Sequence, residues 1–79
     1  MPIFYFHLHD DMNVPDHEGV DLPDLEVAIV RSSCEARIFL CEMAKQAGRI
    51  VLHHRIDIED AYGAVLESVQ FGDVMKIEA

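Results

Sequence analysis

The alternation of apolar and polar positions divides this chain into one long helical stretch and several short extended ones. Residues Asp24 to Gly48, DLEVAIVRSSCEARIFLCEMAKQAG, carry apolar side chains at intervals of three and four, the repeat of a helix turning about 100° per residue. Leu25, Ala28, Ile29, Ser32, Ala36, Phe39, Leu40, Met43 and Ala47 share one face, a broad stripe suited to packing on a sheet. A second stripe follows the opposite side: Val27, Val30, Cys34, Ile38 and Cys41, with gaps of three, four, four and three. Polar side chains are displaced to the flanks, with Arg31, Glu35, Glu42 and Gln46 on one and Arg37 on the other; Glu26 and Lys45 bound the ends. A helix apolar on two faces must bury both. The chain's own tail or loops could cover the second face, but so short a chain has little to spare. The stripe is therefore expected to be a self-association face.

The remaining pattern is that of strands and turns. From Met1 to Asp10, Ile3, Tyr5, His7 and His9 alternate with Phe4, Phe6 and Leu8, so the second set is expected to face the helix. Asp10 to Asp16 has the composition of a turn, and a short return strand is expected from Glu18 to Asp21. Asp24 is the expected N-cap, with Asp21 its rival, and Gly48 the C′ residue. Arg49 to His53 reads either as a half-strand or as a loop under the helix. His54 to Glu59 alternates as a strand, Asp60 to Gly63 as a hairpin turn, and Ala64 to Phe71 as the return strand. The phase of that last strand slips, which predicts a bulge near Glu67 or Ser68. Gly72-Asp73 is expected to turn, and Val74 to Ile77 to add a short terminal piece. The sum is an α+β single domain over 1–79, ββαββ, an antiparallel sheet with one long helix on one face.

Composition bears on function mainly by exclusion. Six Lys and Arg against fifteen Asp and Glu give a net charge of -9, which disfavours nucleic acid and suits a basic protein partner. No run approaches a membrane span. The N-terminus has neither a basic segment nor a small-residue cleavage site, so a cytoplasmic protein is expected. Cys34 and Cys41 sit about 10 Å apart along the helix, too far for a bond within it. Both are expected to be reduced, buried small hydrophobes, although an antiparallel helix pair across a dimer could bring Cys34 near Cys41 of a second copy.

Candidate chemistry is sparse. His7 and His9 lie two apart on a strand and share a face, so a metal-binding pair is one reading. A third ligand would come from Asp16, His17 or Glu18. Solvent-facing strand histidines are the simpler account. Ser32 and Ser33 lie mid-helix without a nucleophile elbow, and the cysteines lie away from the helix N-terminus. Neither a catalytic group nor a cofactor is expected.

One constellation has a family likeness: Phe6-His7-x-x-Asp10, then Asp16-x-Glu18-Gly19-Val20-x-Leu22-Pro23, a helix opening with Leu25 and Ala28, and Ile56-x-Ile58-x-Asp60-x-x-Gly63-x-Val65-Leu66 with Phe71. This resembles a family of small uncharacterised alphaproteobacterial proteins, common in rhizobia and described as a domain of unknown function. The resemblance covers nearly the whole chain. It implies a small α+β fold, with His7, Asp10, Glu18, Gly19 and Pro23 as motif positions, and it brings no activity. The chain departs from that pattern at Asp11, where a glycine often follows the aspartate. Its Val27, Val30, Cys34 and Ile38 are also more apolar than the family's helices, which would make the dimer face particular to this member. A second likeness is to small bacterial antitoxins that inhibit a basic ribonuclease. The acidic charge and Leu22-Pro23-Asp24-Leu25 fit it; the strand order and the missing DNA-binding tail do not.

Overall fold

The computed structural model of the protein describes residues 2–10, 13–76 and 78. Strand β1 (Ile3–His9) is followed by β2 (Asn13–Val14) and β3 (Val20–Asp21), then by helix α1 (Leu25–Ala47), strands β4 (Arg55–Glu59) and β5 (Val65–Gln70), and a single helical turn α2 (Phe71–Val74). All strand pairs are antiparallel. The sheet runs in the order β2, β1, β4, β5, with β3 also paired to β1. The α+β class holds; the expected return strand is present at Val20–Asp21, and the expected turn holds a further paired piece, Asn13–Val14.

Residues 13–14 of the expected turn pair back onto His9 and Leu8, whereas Val20 and Asp21 pair with Phe4 and Ile3. Partner numbers sum to 22 in the first piece (8 + 14) and to 24 in the second (4 + 20). Two extra residues are thus looped out between them, and Asp16 sits in that gap. The position Asp11, where the chain departs from its family likeness, lies outside the described residues.

Local chemistry sets the helix limits. The Asp24 carboxylate accepts from the Val27 N–H at 2.9 Å, and Gly48, at φ 66°, closes the far end with its N–H on Ala44 O. Asp24 is the cap, as expected, rather than Asp21. Ala28, Ser32, Ala36 and Leu40 form the buried line of α1. Three small side chains in succession let the helix lie close to the sheet. Two core clusters result: Phe4, Ala28, Ile58 and Val69 at one end, and Ala36, Leu40, Ile56 and Phe71 at the other, with Phe6 and Val74 packed against both.

In the C-terminal third, the loop alternative for residues 49–53 and the bulge near Glu67 hold, and one expectation is corrected. Residues 49–54 form no strand; this loop instead offers carbonyls, Leu52 O to Gly72 N–H and His54 O to Phe71 N–H. The bulge lies one residue before Glu67: Ile58 pairs with Glu67 but Glu59 with Val65, leaving Leu66 as the extra residue. Gly72-Asp73 is not a simple turn, because Phe71–Val74 closes a helical turn that buries the Phe71 ring. Met75 and Lys76 have no strand partner, and Ile77 lies outside the described residues. At the β4–β5 hairpin the turn is as expected: Asp60 Oδ1 accepts from Tyr62 and Ala64 N–H groups, and Gly63 takes φ 82°.

Gly19 is required twice over. Its φ is +73°, and a Cβ there would lie 2.5 Å from Ile3 Cγ2 and 2.9 Å from Tyr5 Cε2. Gly19→Ala is expected to cost about 2 kcal/mol in a urea unfolding titration, from left-handed strain and overpacking together. The loss is held to that range because Ile3 is half-exposed and its side chain can move outward.

Candidate functional site

Three surfaces could carry function: the outward side of α1, the sheet face turned away from α1, and a groove between helix and sheet. On the outward side, every member of the second apolar stripe is exposed. Val30 is 63% exposed, Ile38 59% and Val27 39%, and Cys34 and Cys41 are free, exposed thiols. The cysteines are unbonded, as expected, but the expectation that they are buried is corrected. They lie diametrically opposite the Ala28–Leu40 line, and none of the described residues folds over them. Arg37 on one flank donates from Nε to Val74 O at 2.9 Å, and its Nη1 lies 3.9 Å from Cys34 Sγ. Val74 is thereby tied to the flank of the helix.

The far sheet face is polar. Its strand alternation places Tyr5, His7 and His9 beside Arg55, Asp57 and Glu59, with His7 opposite Asp57 in register and Asp57 opposite Ser68. Asp57 is buried and is the hub: Oδ1 accepts from Ser68 Oγ at 2.7 Å and Arg55 Nε at 3.1 Å, while Oδ2 lies 3.0 Å from His9 Nε2. Burial alone would raise its pKa. The Ser68 hydroxyl, the Arg55 guanidinium and the His9 ring outweigh that and hold it below the ordinary carboxylate value.

Asp16 performs a different task beneath the split in the return strand. Its Oδ2 accepts from Phe6 N–H at 3.2 Å, in the gap between β2 and β3 where a partner carbonyl would serve. Its Oδ1 accepts from Glu18 N–H at 3.0 Å and Gly19 N–H at 3.2 Å. Burial opposes ionisation here too, but the three N–H groups and nearby His7 lower the pKa below its ordinary value. The Asp16 N–H itself donates to His7 Nδ1 at 3.0 Å.

This geometry bears directly on the two histidines read as a metal pair. They do share a face. Yet the His7 Nδ1 lone pair takes the Asp16 N–H, and His7 Nε2 lies 3.5 Å from Glu59 Oε1. His9 sets Nδ1 3.0 Å from Asn13 Oδ1 and Nε2 against Asp57. The ring nitrogens are thus engaged within the sheet. Among the described residues no group of three His, Cys, Asp or Glu converges as metal ligands would. His17, a suggested third ligand, is exposed in the loop, as is Glu18.

Nor does the Ser68–Asp57–His9 chain resemble an activated nucleophile, since the hydroxyl donates to the carboxylate and not to the imidazole. Ser32 is fully buried against the sheet. Among the remaining motif positions, Asp10 follows the first strand, Gly19 and the backbone of Glu18 close the Asp16 loop, and Pro23 is exposed beside the helix cap. The motif therefore maps chiefly onto the turn that builds the first hairpin. Asp16 and Asp57 are the polar residues whose importance the pattern alone did not reveal. The sequence signal for Asp16 is present: an Asp two and three residues before Glu18 and Gly19 can close an Asx turn.

The groove is open, about 310 Å³, with Phe6, Leu8, Ile56 and Phe71 from the sheet side, Phe39 from α1, and Asp16, Arg31 and Glu35 among its lining. No described helix is long and apolar enough to cross a membrane.

Comparison with curated proteins and with solved structures finds no match. A protein-family model does match, over residues 3–72, from the first strand to the helical turn that buries Phe71. The chain therefore belongs to the DUF6894 family, a domain of unknown function.

Proposed function

We propose that this protein is a non-enzymatic protein-interaction module that acts as a homodimer through the outward face of α1. The observation that carries the reading is the row Val27, Val30, Cys34, Ile38 and Cys41, exposed together on the face opposite the core. Isolated exposed apolar residues are ordinary, but a continuous row along a helix marks a partner. Burying each aliphatic member contributes up to about 1.5–3 kcal/mol. A small domain also has more to gain from association than a large one.

Sedimentation at micromolar concentrations is expected to give twice the 9.0 kDa of one chain. Val30→Asp combined with Ile38→Asp is expected to return the protein to the mass of one chain, with its circular dichroism unchanged, because both side chains are exposed and outside the core. A wild-type protein that sediments as a single chain throughout that range overturns the reading.

A further inference from the structure

We propose that the partner on this face is a second copy lying antiparallel, with the two Cys34 residues facing one another across the two-fold axis. The proposal rests on the homodimer reading above and deepens it by specifying orientation and register.

The spacing of the stripe carries the argument. Gaps of three, four, four and three are the same read in either direction from Cys34. A two-fold interface must be self-complementary. Reversing the helix about Cys34 sets Val30 against Ile38 of the second copy and Val27 against its Cys41, each apolar side chain meeting another.

Charge agrees with that register. A two-fold axis across an antiparallel pair brings each flank against the same flank of the other helix. On one flank, Arg31 then lies two residues, about 3 Å along the axis, from Glu35 of the second copy. The two-fold axis makes this contact occur twice. Lys45, at the C-terminal end of the stripe, meets the first turn of the other helix, where Asp24 and Glu26 supply two carboxylates. The helix dipoles are also opposed.

Rival arrangements fare worse. An antiparallel pair that joins Cys34 to Cys41 sets Val30 opposite Lys45 and Ile38 opposite Arg37. A parallel pair brings Lys45 beside Lys45. Only the register about Cys34 keeps charge off the apolar seam.

Thiol cross-linking reads the register directly. At an interaxial distance of roughly 8–10 Å, residues on the axis come within the Cα separation a disulfide spans, about 4.4–6.8 Å. Diamide is the probe: it takes two electrons and two protons from a pair of thiols and leaves the disulfide. In the full chain, Cys41→Ser is expected to cross-link rapidly to a dimer on non-reducing gels, through Cys34. Cys34→Ser keeps Cys41, which is also exposed, and measures random collision; it is expected to cross-link at least tenfold more slowly. Lys45→Glu is expected to shift sedimentation toward the single chain. If the wild type sediments as a dimer while Cys41→Ser cross-links no faster than Cys34→Ser, the register is overturned and the homodimer stands. If the wild type sediments as a single chain, both are overturned.

Discussion

Phe71→Ala is expected to lower the free energy of unfolding by about 3–5 kcal/mol, the range for truncating a fully buried aromatic ring. The ring is 0% exposed and packs in the cluster of Ala36, Leu40 and Ile56. It also meets Phe39 edge-on, with centroids 5.4 Å apart, and His54 at 5.8 Å. Alanine would forfeit these contacts and leave a void between the sheet and the C-terminal half of α1. The helix there already presents Ala36, a side chain too small to refill it. A domain this small has about 5–15 kcal/mol in total, so the loss takes a large share. Thermal unfolding is expected to shift down by about 15 °C or more. Phe71→Leu, which keeps most of the volume, is expected to lose less than half as much. Calorimetry or urea titration of the three proteins measures the difference. A shift of under about 1 kcal/mol for Phe71→Ala would mean that the ring does not pack where it is placed.

The second large effect belongs to a charge. Asp16→Ala removes the acceptor for the Phe6, Glu18 and Gly19 N–H groups at once. Hydrogen bonds to charged groups contribute about 1.5–3 kcal/mol each. Water can reach part of this loop, so the sum is expected to be about 3 kcal/mol and not the full total. Asp16→Asn keeps an oxygen acceptor without the charge and is expected to fall midway. Acid acts through the same group. Asp16 and Asp57 both ionise more readily in the folded chain than in the unfolded one, so the unfolded state binds more protons in the interval between the two pKa values. The stability they confer is complete above the unfolded carboxylate value, near pH 4, and is lost as pH falls through the lower folded values. Urea midpoints measured from neutral pH to about pH 3 are expected to drop for the wild type. They are expected to drop less for Asp16→Ala, which has lost one of the two linked groups. An equal acid slope in both proteins would remove Asp16 from the account.

Other parts of the fold were legible in the sequence. The Asp24 cap, the Gly48 terminus, the Asp60–Gly63 hairpin and the facing of Phe4, Phe6 and Leu8 toward α1 were all legible. Each depends on residues within a turn or two of one another. The outward stripe was legible for the same reason, because helical period alone assigns a face. Its exposure follows from what else packs there: Arg37 holds Val74 at the flank of the helix.

What lay beyond reach was non-local. Nothing in DDMNVPD announces that Asn13 and Val14 pair back while Asp16 fills the break, since the Phe6 N–H it satisfies is ten residues away. The placement of Leu66 as the extra residue depends on the register with Ile58 and Glu59. The partners of His7 and His9 lie on other strands and in the Asp16 loop, so a same-face histidine pair looked open to metal until Asp16, Asn13, Asp57 and Glu59 were placed around it.

By itself, then, the order of residues determined the helix, its ends, its two apolar faces and the α+β class, because period and capping are short-range chemistry. Tertiary structure decided the split hairpin, the burial of Phe71 and the engagement of the histidines, because each depends on groups brought together only when the strands pair and the helix docks.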